Sequence, residues 1–177
     1  MAEFALSEGT IPMNIAVLSD THGHIDDRIK RHVEGCDEVW HAGDIGDLHV
    51  TDALADITKV RAVYGNIDDQ LARRTWPEHQ RFKAGGLQVW MTHIGGRPPK
   101  YARGILPQLR EEQPDLFICG HSHILLVQRV DAWGGLHLNP GAAGISGFHK
   151  VCTMLKFRVD EEQFKDLRVV EWARKCP

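Results

Sequence analysis

The hydrophobic positions along the chain form short apolar runs that alternate with polar segments. Residues 13–19 form an apolar run, and residues 26–34 follow it, with two acidic residues at their start and a glycine after their end. This order predicts a strand, a loop and a helix. Residues 38–42, 47–57 and 60–64 then predict a strand, a helix and a strand. Such alternation is typical of right-handed βαβ units whose strands are largely parallel.

The pattern changes in the second half of the chain. Residues 81–84 and 87–92 flank Gly85-Gly86, a dipeptide suited to a tight turn, so we expect an antiparallel hairpin. A helix is predicted over residues 101–112, before Pro114. Further strands are predicted over residues 116–119, 125–130, 136–138, 151–159 and 167–172. We therefore expect a second, mostly antiparallel sheet, and an α/β sandwich of two sheets with helices outside.

Composition and charge limit the classes of function. The chain has 177 residues, 42% of them hydrophobic, which suffices for one well-buried domain. We predict a single domain over residues 13–177 and an N-terminal tail over residues 1–12. The formal charge of −3 disfavours nucleic-acid binding, and no apolar run approaches the length of a membrane span or resembles a signal peptide. Four scattered cysteines indicate reduced thiols and a cytoplasmic protein.

Polar residues with metal-binding side chains stand at the ends of five apolar runs. They occur in Asp20-Thr21-His22, Gly43-Asp44, Gly65-Asn66, Thr92-His93 and Gly120-His121-Ser122-His123. A buried polar group costs about 1–3 kcal/mol unless it is paired. In α/β sheets, ligands bind beyond the carboxyl ends of the strands, which is where these residues fall. We therefore predict seven metal ligands: Asp20, His22, Asp44, Asn66, His93, His121 and His123.

The chemistry of these donors favours a pair of metal ions. Each motif alone is ordinary turn chemistry or a hydrogen-bonded histidine, but their order at successive strand ends points to one site. The set combines carboxylate, amide and imidazole groups without thiolate, which suits Mn²⁺, Fe or Zn²⁺ better than Mg²⁺. Seven ligands are too many for one such ion, so we predict two divalent ions about 3.5–4 Å apart. Mn²⁺ is the first candidate, and Fe, Zn²⁺ or Ni²⁺ are alternatives.

In combination, the five motifs resemble the signature of the calcineurin-like metallophosphoesterases. They are most similar to the small bacterial and archaeal phosphodiesterase group that also contains vacuolar sorting protein 29. The resemblance covers residues 13–160 and includes the turn Asn139-Pro140-Gly141. It implies a four-layer α/β sandwich in which helices flank two mixed sheets. It also implies one ion on Asp20, His22, Asp44 and His123, and a second on Asp44, Asn66, His93 and His121, with Asp44 as the bridge.

The resemblance further implies a phosphoesterase, with phosphodiester hydrolysis favoured and a small phosphoester as substrate. Two metal ions can polarise the phosphoryl oxygens and lower the pKa of a bridging water, so that hydroxide attacks phosphorus without a protein nucleophile. Asp44, Asn66 and His93 are the candidate catalytic residues. The alternatives are a phosphomonoesterase and a catalytically weak or silent protein-interaction module on the same fold.

One position departs from the pattern of the family. Many members have a histidine directly after the Gly-Asn pair, understood as the acid that protonates the leaving oxygen, but this chain has Ile67. Loss of a general acid typically slows a reaction about 10²–10⁴-fold. We therefore expect a preference for good leaving groups, or another acid in its place. The candidates for that acid are His24, Asp68 and His149, and His41 is a candidate for orienting a ligand from behind. Orienting a ligand and capping a helix are two further roles open to Asp68.

Overall fold

Two five-stranded β-sheets face each other across the main hydrophobic core. The computed structural model describes residues 11–174, so most of the predicted N-terminal tail, residues 1–12, lies outside the described residues. The strands are β1 (Met13–Leu18), β2 (Glu38–His41), β3 (Lys59–Ala62), β4 (His79–Ala84), β5 (Leu87–Thr92), β6 (Gly96–Arg97), β7 (Lys100–Tyr101), β8 (Leu116–Ile118), β9 (Leu126–Arg129), β10 (Leu136–Asn139), β11 (Val151–Asp160) and β12 (Gln163–Ala173). The helices are α1 (Asp27–Val33), α2 (His49–Ala55), α3 (Gln70–Thr75) and α4 (Ile105–Glu112).

Sheet A has the strand order β12-β11-β1-β2-β3. Strands β1, β2 and β3 are parallel, and α1 and α2 are the crossover helices that connect them. This part confirms the two predicted βαβ units. Strands β11 and β12 extend the sheet on the other side of β1 with antiparallel pairs.

Sheet B has the strand order β4-β5-β8-β10-β9. Strands β4 and β5 form the predicted hairpin around Gly85-Gly86, and β9 pairs antiparallel with β10. Strands β5, β8 and β10 are parallel to one another. The expectation of a mostly antiparallel second sheet is therefore wrong, and the family resemblance, which implied two mixed sheets, is confirmed. The error arose because alternating apolar positions indicate a strand but do not specify the sheet it joins, and β11 and β12 return to sheet A.

Two helices differ from the sequence prediction. Helix α4 begins at Ile105, because residues 96–101 form the β6–β7 hairpin and Gly104 has a left-handed φ of +83°. Helix α3 was not predicted. It begins after Asp69, whose carboxylate accepts a hydrogen bond from the backbone N–H of Ala72 at 2.9 Å, and it is only six residues long.

The hydrophobic core has three parts that define four layers. The central part joins the facing sides of both sheets through Ile15, Val17, Trp40, Val89, Met91, Leu116, Ile118, Leu138, Leu155 and Phe157. On the outer side of sheet A, Ile29 of α1 and Leu54 of α2 pack against Leu18. On the outer side of sheet B, Leu109 of α4 packs with Phe117. The order helix, sheet, sheet, helix is the predicted α/β sandwich, and it keeps β1, β2 and β8 apolar on both faces.

A buried carboxylate connects β2 and β3 in sheet A. Glu38 is 2% exposed, and its oxygens lie 2.6 Å from Lys59 Nζ and 2.7 Å from Arg61 Nε. Trp40 Nε1 donates a further hydrogen bond to it at 2.8 Å. Burial alone would raise the pKa of Glu38, but the hydrogen bonds from Arg61, Lys59 and Trp40 outweigh burial and lower the pKa below its ordinary value.

We expect Glu38→Gln to lower the free energy of unfolding by about 2–3 kcal/mol at pH 7, because both cations lose their charged partner. A carboxyl with a lowered folded pKa stabilises the fold above its ordinary pKa of 4.5, and this contribution disappears as pH falls through the lower folded value. Urea denaturation should therefore show a larger difference from wild type at pH 7 than at pH 3. The exposed Glu34→Gln is the control, and equal stability of Glu38→Gln and wild type at pH 7 would contradict this account.

Candidate metal centre

The two sheets bring their strand ends together at one place. Asp20, after β1, donates its backbone N–H to the carbonyl of Gly43, after β2, at 2.9 Å. Gly120, after β8, donates to the carbonyl of His93, after β5, at 3.1 Å. A Cβ added to Gly43 would lie 2.6 Å from His93 Cβ, so the loops of sheet A and sheet B approach as closely as glycine allows. The predicted ligands from both sheets therefore share one site.

Many of the predicted ligands have an uncommon backbone conformation. Left-handed φ values between +48° and +68° occur at Asp20, His22, Asp44, His121 and His123. Residues other than glycine rarely adopt this region, because the conformation costs about 1–3 kcal/mol for each residue. It persists only where the surrounding structure enforces it. Strained backbone of this kind concentrates at functional sites.

The first cluster of donors consists of Asp20, His22 and His123, whose candidate ligand atoms all lie within 4.8 Å of one another. His123 Nε2 lies 3.2 Å from Asp20 Oδ1 and 3.4 Å from His22 Nε2. The Asp20 carboxylate is fully buried. Ser19 Oγ donates to Asp20 Oδ2 at 2.6 Å, and this bond holds the carboxylate so that Oδ1 faces His123.

The second cluster consists of Asp44, His93 and His121, and its candidate ligand atoms also lie within 4.8 Å of one another. Asp44 Oδ1 lies 3.2 Å from His93 Nε2. Asp44 Oδ2 lies 3.8 Å from His22 Nε2, which belongs to the first cluster. Each oxygen of the Asp44 carboxylate thus faces a different cluster.

The hydrogen bonds of His93 show which of its nitrogens is free. Nδ1 lies 2.8 Å from the carbonyl oxygen of Ala42, and only a protonated nitrogen can donate to that oxygen. In the neutral ring, Nε2 then presents a lone pair to Asp44 Oδ1, and within residues 11–174 this buried nitrogen has no hydrogen-bond partner. Two acceptors at this distance repel each other unless a proton or a metal ion lies with them. His93 Nε2 and Asp44 Oδ1 are therefore suited to bind a cation between them.

The same arrangement recurs at His123. His149 Nε2 lies 2.8 Å from the carbonyl oxygen of Gly144, so its Nδ1 is the acceptor in the neutral ring. That acceptor lies 3.3 Å from His123 Nδ1, which donates to it. The lone pair of His123 Nε2 consequently faces Asp20 Oδ1. His149 is thus placed to orient a predicted ligand, as outer partners of metal-binding histidines commonly do.

The electrostatics at Asp44 and His93 also favour positive charge between them. Burial lowers the pKa of His93, but the adjacent Asp44 carboxylate and the charge of Asp20 outweigh it and raise that pKa above its ordinary value. Burial raises the pKa of Asp44, but His93, the backbone N–H of Ile67 and His22 outweigh it and lower that pKa. A divalent cation would satisfy the same field.

Asp68 supports the centre from behind. Its Oδ2 accepts hydrogen bonds from the backbone N–H groups of Gly65 at 2.7 Å and Ile45 at 3.2 Å, and its Oδ1 accepts one from Gly46 at 2.7 Å. The carboxylate, which is buried, therefore ties the loop that carries Asp44 to the loop after β3. Besides the role of general acid, the sequence left two roles open for Asp68: capping a helix and orienting a ligand. The cap of α3 is Asp69, whereas the hydrogen bonds of Asp68 fit the orienting role.

His41 connects the same loops and does not point at the clusters. Its Nδ1 accepts a hydrogen bond from the backbone N–H of Gly43 at 3.2 Å, so Nε2 donates to Thr21 Oγ1 at 2.8 Å. Thr21 Oγ1 in turn donates to the carbonyl of Ile45 at 3.0 Å. Burial lowers the pKa of His41 to about 4, which keeps the ring neutral in this chain of hydrogen bonds.

The remaining predicted positions lie at the rim or beside it. Asn66 is exposed in a loop that wraps around Asp44, where a Cβ on Gly65 would lie 2.0 Å from Asp44 Oδ1. Ile67 donates its backbone N–H to Asp44 Oδ1 at 3.1 Å while its side chain is 46% exposed. His24 Nε2 lies 3.4 Å from Asp26 Oδ2, at the start of α1.

Sequence reasoning missed two residues that hold the ligand loops. The hydroxyl of Ser19 lies 2.6 Å from Asp20 Oδ2 and 2.7 Å from the carbonyl oxygen of Gly141, so these two acceptors share its single proton. Asn139 donates through Nδ2 to the carbonyl of Gly120 at 2.9 Å, at the base of the loop that carries two histidines. Both had a signal in the sequence, since Ser19 is a polar residue at the end of the first apolar run and Asn139 opens the Asn139-Pro140-Gly141 turn of the family resemblance.

The fold and the residues of the site define a metallophosphoesterase. The calcineurin-like phosphoesterase superfamily domain matches residues 13–162, and the chain belongs to this family. It is accordingly a metal-dependent phosphoesterase, and the family implies divalent metal ions at the site.

Individual relatives agree with this assignment. A probable metallophosphoesterase of Methanocaldococcus jannaschii is 29% identical over 136 residues, covering 73% of this chain and 68% of that protein. Two solved structures share the fold. Vps29 of Entamoeba histolytica complexed with Zn²⁺ is 19% identical with a TM-score of 0.68, covering 92% of this chain and 100% of that one. An archaeal phosphodiesterase is 22% identical with a TM-score of 0.67, covering 90% and 100%.

Across residues 11–174, each helix is too short or too polar to cross a membrane.

We expect Asp68→Ala to lower the free energy of unfolding by about 3 kcal/mol, because three backbone N–H groups lose their acceptor. The loops that it joins should loosen, so metal affinity should fall as well. Chemical denaturation and calorimetric metal titration measure the two effects. Asp69→Ala, which removes only the cap of α3, should cost about 1 kcal/mol and leave metal affinity unchanged. Equal effects of the two substitutions on metal affinity would contradict the positioning role.

Proposed function

We propose that the protein is a phosphodiesterase that uses two divalent metal ions bridged by Asp44. The observation that carries the proposal is the placement of Asp44, whose two oxygens face two separate donor clusters. A carboxylate that serves two ions in this way is a common feature of two-metal hydrolases. The first ion would bind Asp20, His22, Asp44 and His123, and the second Asp44, Asn66, His93 and His121.

Mn²⁺ is the metal that we propose first. The donors are oxygen and imidazole nitrogen, and the described free cysteines lie at residues 36, 119 and 152, outside both clusters. Such a set suits Mn²⁺, Fe, Zn²⁺ or Ni²⁺. Among proteins of the same fold, the Entamoeba Vps29 structure contains Zn²⁺, which supports a site that accepts several of these ions.

The chain's own residues prepare the site for hydrolysis. When bound, the ions would supply Lewis-acid polarisation of the phosphoryl group and a lowered pKa of water. Asp20 and Asp44 contribute negative charge, so that the ions bind strongly. His149 and the Ala42 carbonyl fix the rings of His123 and His93 with their Nε2 atoms toward the clusters. Because these orientations exist before substrate binds, little reorganisation accompanies the reaction.

Two clefts beside the clusters support a diester over a monoester. The polar cleft, of about 380 Å³, borders Asn66 and His93 and includes the exposed Arg103. The apolar cleft, of about 480 Å³, lies between residues 121–124 and residues 147–149. A phosphodiester has two organic groups on phosphorus, and the two clefts offer a separate space to each. The archaeal phosphodiesterase of the same fold is consistent with this preference.

The substrate that we propose is a small phosphoester in the cytoplasm, and we propose neither nucleic acid nor membrane as a partner. The other candidate function is a protein-interaction module, which Ile67 favours because it stands where many relatives have a catalytic histidine. Metal binding alone does not separate the two functions, since Vps29 of the same fold also binds Zn²⁺. Hydrolysis of bis(4-nitrophenyl) phosphate by the metal-loaded protein separates them, and its absence with two bound metals would favour the interaction module.

We expect Asp44→Asn to weaken both metal sites together, because the substitution removes the charge that faces both clusters. Metal content by mass spectrometry and calorimetric titration with Mn²⁺ should show loss of both ions, and diester hydrolysis should fall at least 100-fold. Asp52→Asn, an exposed position on α2, is the matched control and should bind two ions. If Asp44→Asn keeps one ion at unchanged affinity, Asp44 is not the bridge.

We expect Ile67→His to accelerate hydrolysis of poor leaving groups more than of good ones, because the new imidazole can protonate a leaving oxygen. The ratio of kcat/KM for diphenyl phosphate to that for bis(4-nitrophenyl) phosphate should rise about tenfold or more. The exposed Leu71→His on α3 serves as the control and should leave the ratio unchanged. An equal effect of Ile67→His on both esters would show that the missing acid does not limit the enzyme.

A further inference from the structure

We propose that the apolar cleft, between residues 121–124 and residues 147–149, binds an apolar aryl or alkyl group of the phosphoester substrate. This inference rests on the proposed function and adds the class of substrate. The cleft includes His121 and His123, one from each donor cluster. A phosphoryl group held between the clusters would therefore place one of its substituents directly beside the cleft.

Two large apolar side chains at the cleft are exposed to water. Phe148 is fully exposed, and Ile124 is 56% exposed. A single exposed apolar side chain is ordinary, but these two line the same concave surface and lie next to metal-ligand candidates. An apolar substituent that covers them removes apolar surface from water on both partners, which is favourable. The pair therefore recognises apolar rather than polar groups.

The loop that carries Phe148 is fixed against the donor clusters. Gly147 has a φ of +117°, and a Cβ there would lie 2.5 Å from His123 Nδ1, so the loop approaches this ring as closely as only glycine permits. His149, on the other side of Phe148, lies 3.3 Å from the same nitrogen. Arg174 donates hydrogen bonds to the carbonyls of Gly147 and His149. The backbone at Phe148 is thus held between two anchored residues, which places this side chain beside the donor clusters.

The polar cleft is less suitable for an apolar substituent than the apolar cleft. Its lining includes the charged side chains of Arg73, Glu78 and Arg103. An apolar group placed there would take the charges of Glu78 and Arg103 further out of water without offering them a charged partner, which is unfavourable. The apolar cleft has no Lys, Arg, Asp or Glu among its lining residues. The apolar cleft is therefore the better of the two places for an apolar substituent beside the proposed metal centre.

Calorimetric titration of the Mn²⁺-loaded protein with phenylphosphonate and methylphosphonate tests the inference, because neither compound is hydrolysed and each has one substituent. In the wild type, phenylphosphonate should bind about tenfold tighter than methylphosphonate, with a more negative heat-capacity change. Phe148→Ala should reduce the preference to about twofold, and Ile124→Ala should reduce it in the same direction. Val169→Ala, an exposed apolar position on β12, is the control and should keep the tenfold preference.

Equal affinity of the wild type for the two phosphonates would overturn the inference, as would an unchanged preference in Phe148→Ala. Either result would leave the cleft to another occupant, such as a segment of a partner protein. Hydrolysis of bis(4-nitrophenyl) phosphate by the same preparation distinguishes failure of this substrate inference from failure of the proposed function. Hydrolysis without a phenyl preference defeats this inference alone, whereas two bound metals without hydrolysis of any phosphoester defeat the proposed function.

Discussion

The site depends on the carboxylate of Asp44, which stands between two groups of histidines and is nearly excluded from water. Its oxygens lie 3.2 Å from His93 Nε2 and 3.8 Å from His22 Nε2. The backbone N–H of Ile67 is too little to compensate such a buried charge. Lone pairs and negative charge are concentrated at one point, and positive charge is what stabilises them. Every other element of the site either builds this arrangement or keeps it from relaxing.

The fold builds the arrangement by joining the carboxyl ends of parallel strands from two different sheets. Asp20 and Asp44 come from adjacent strands of sheet A, and His93 and His121 from adjacent strands of sheet B. Residues outside the two donor clusters then restrain the loops that carry the donors. Asp68 fixes the position of the Asp44 loop through three hydrogen bonds to backbone N–H groups. The metal centre that we propose for this protein draws on both sheets, because each donor cluster combines residues that follow strands of sheet A with residues that follow strands of sheet B.

The structure brings six of the seven residues predicted as ligands into two clusters, and the signal was local, because a polar residue after an apolar run is costly to bury and therefore informative. The sequence also predicted the parallel block of sheet A, because strand-like and helix-like segments alternate there along the chain. It could not assign β11 and β12 to a sheet, because pairing partners far apart in the chain leave no local pattern. Nor could it show the role of Phe148, since an exposed phenylalanine in a loop becomes meaningful only when its neighbours Gly147 and His149 are seen against His123.

The backbone of the site shows that metal binding and stability are linked. Left-handed φ angles at five ligand candidates cost about 1–3 kcal/mol each, a substantial part of the 5–15 kcal/mol that stabilises a typical domain. Hydrogen bonds from Ser19, Asp68 and Asn139 enforce these conformations in the folded chain. A cation that binds only the folded chain adds about 2.7 kcal/mol at a free concentration 100 times its Kd. The surrounding hydrogen bonds therefore keep the donors directed at the positions that we propose for the metals, and bound metals would return part of the stability that this geometry costs.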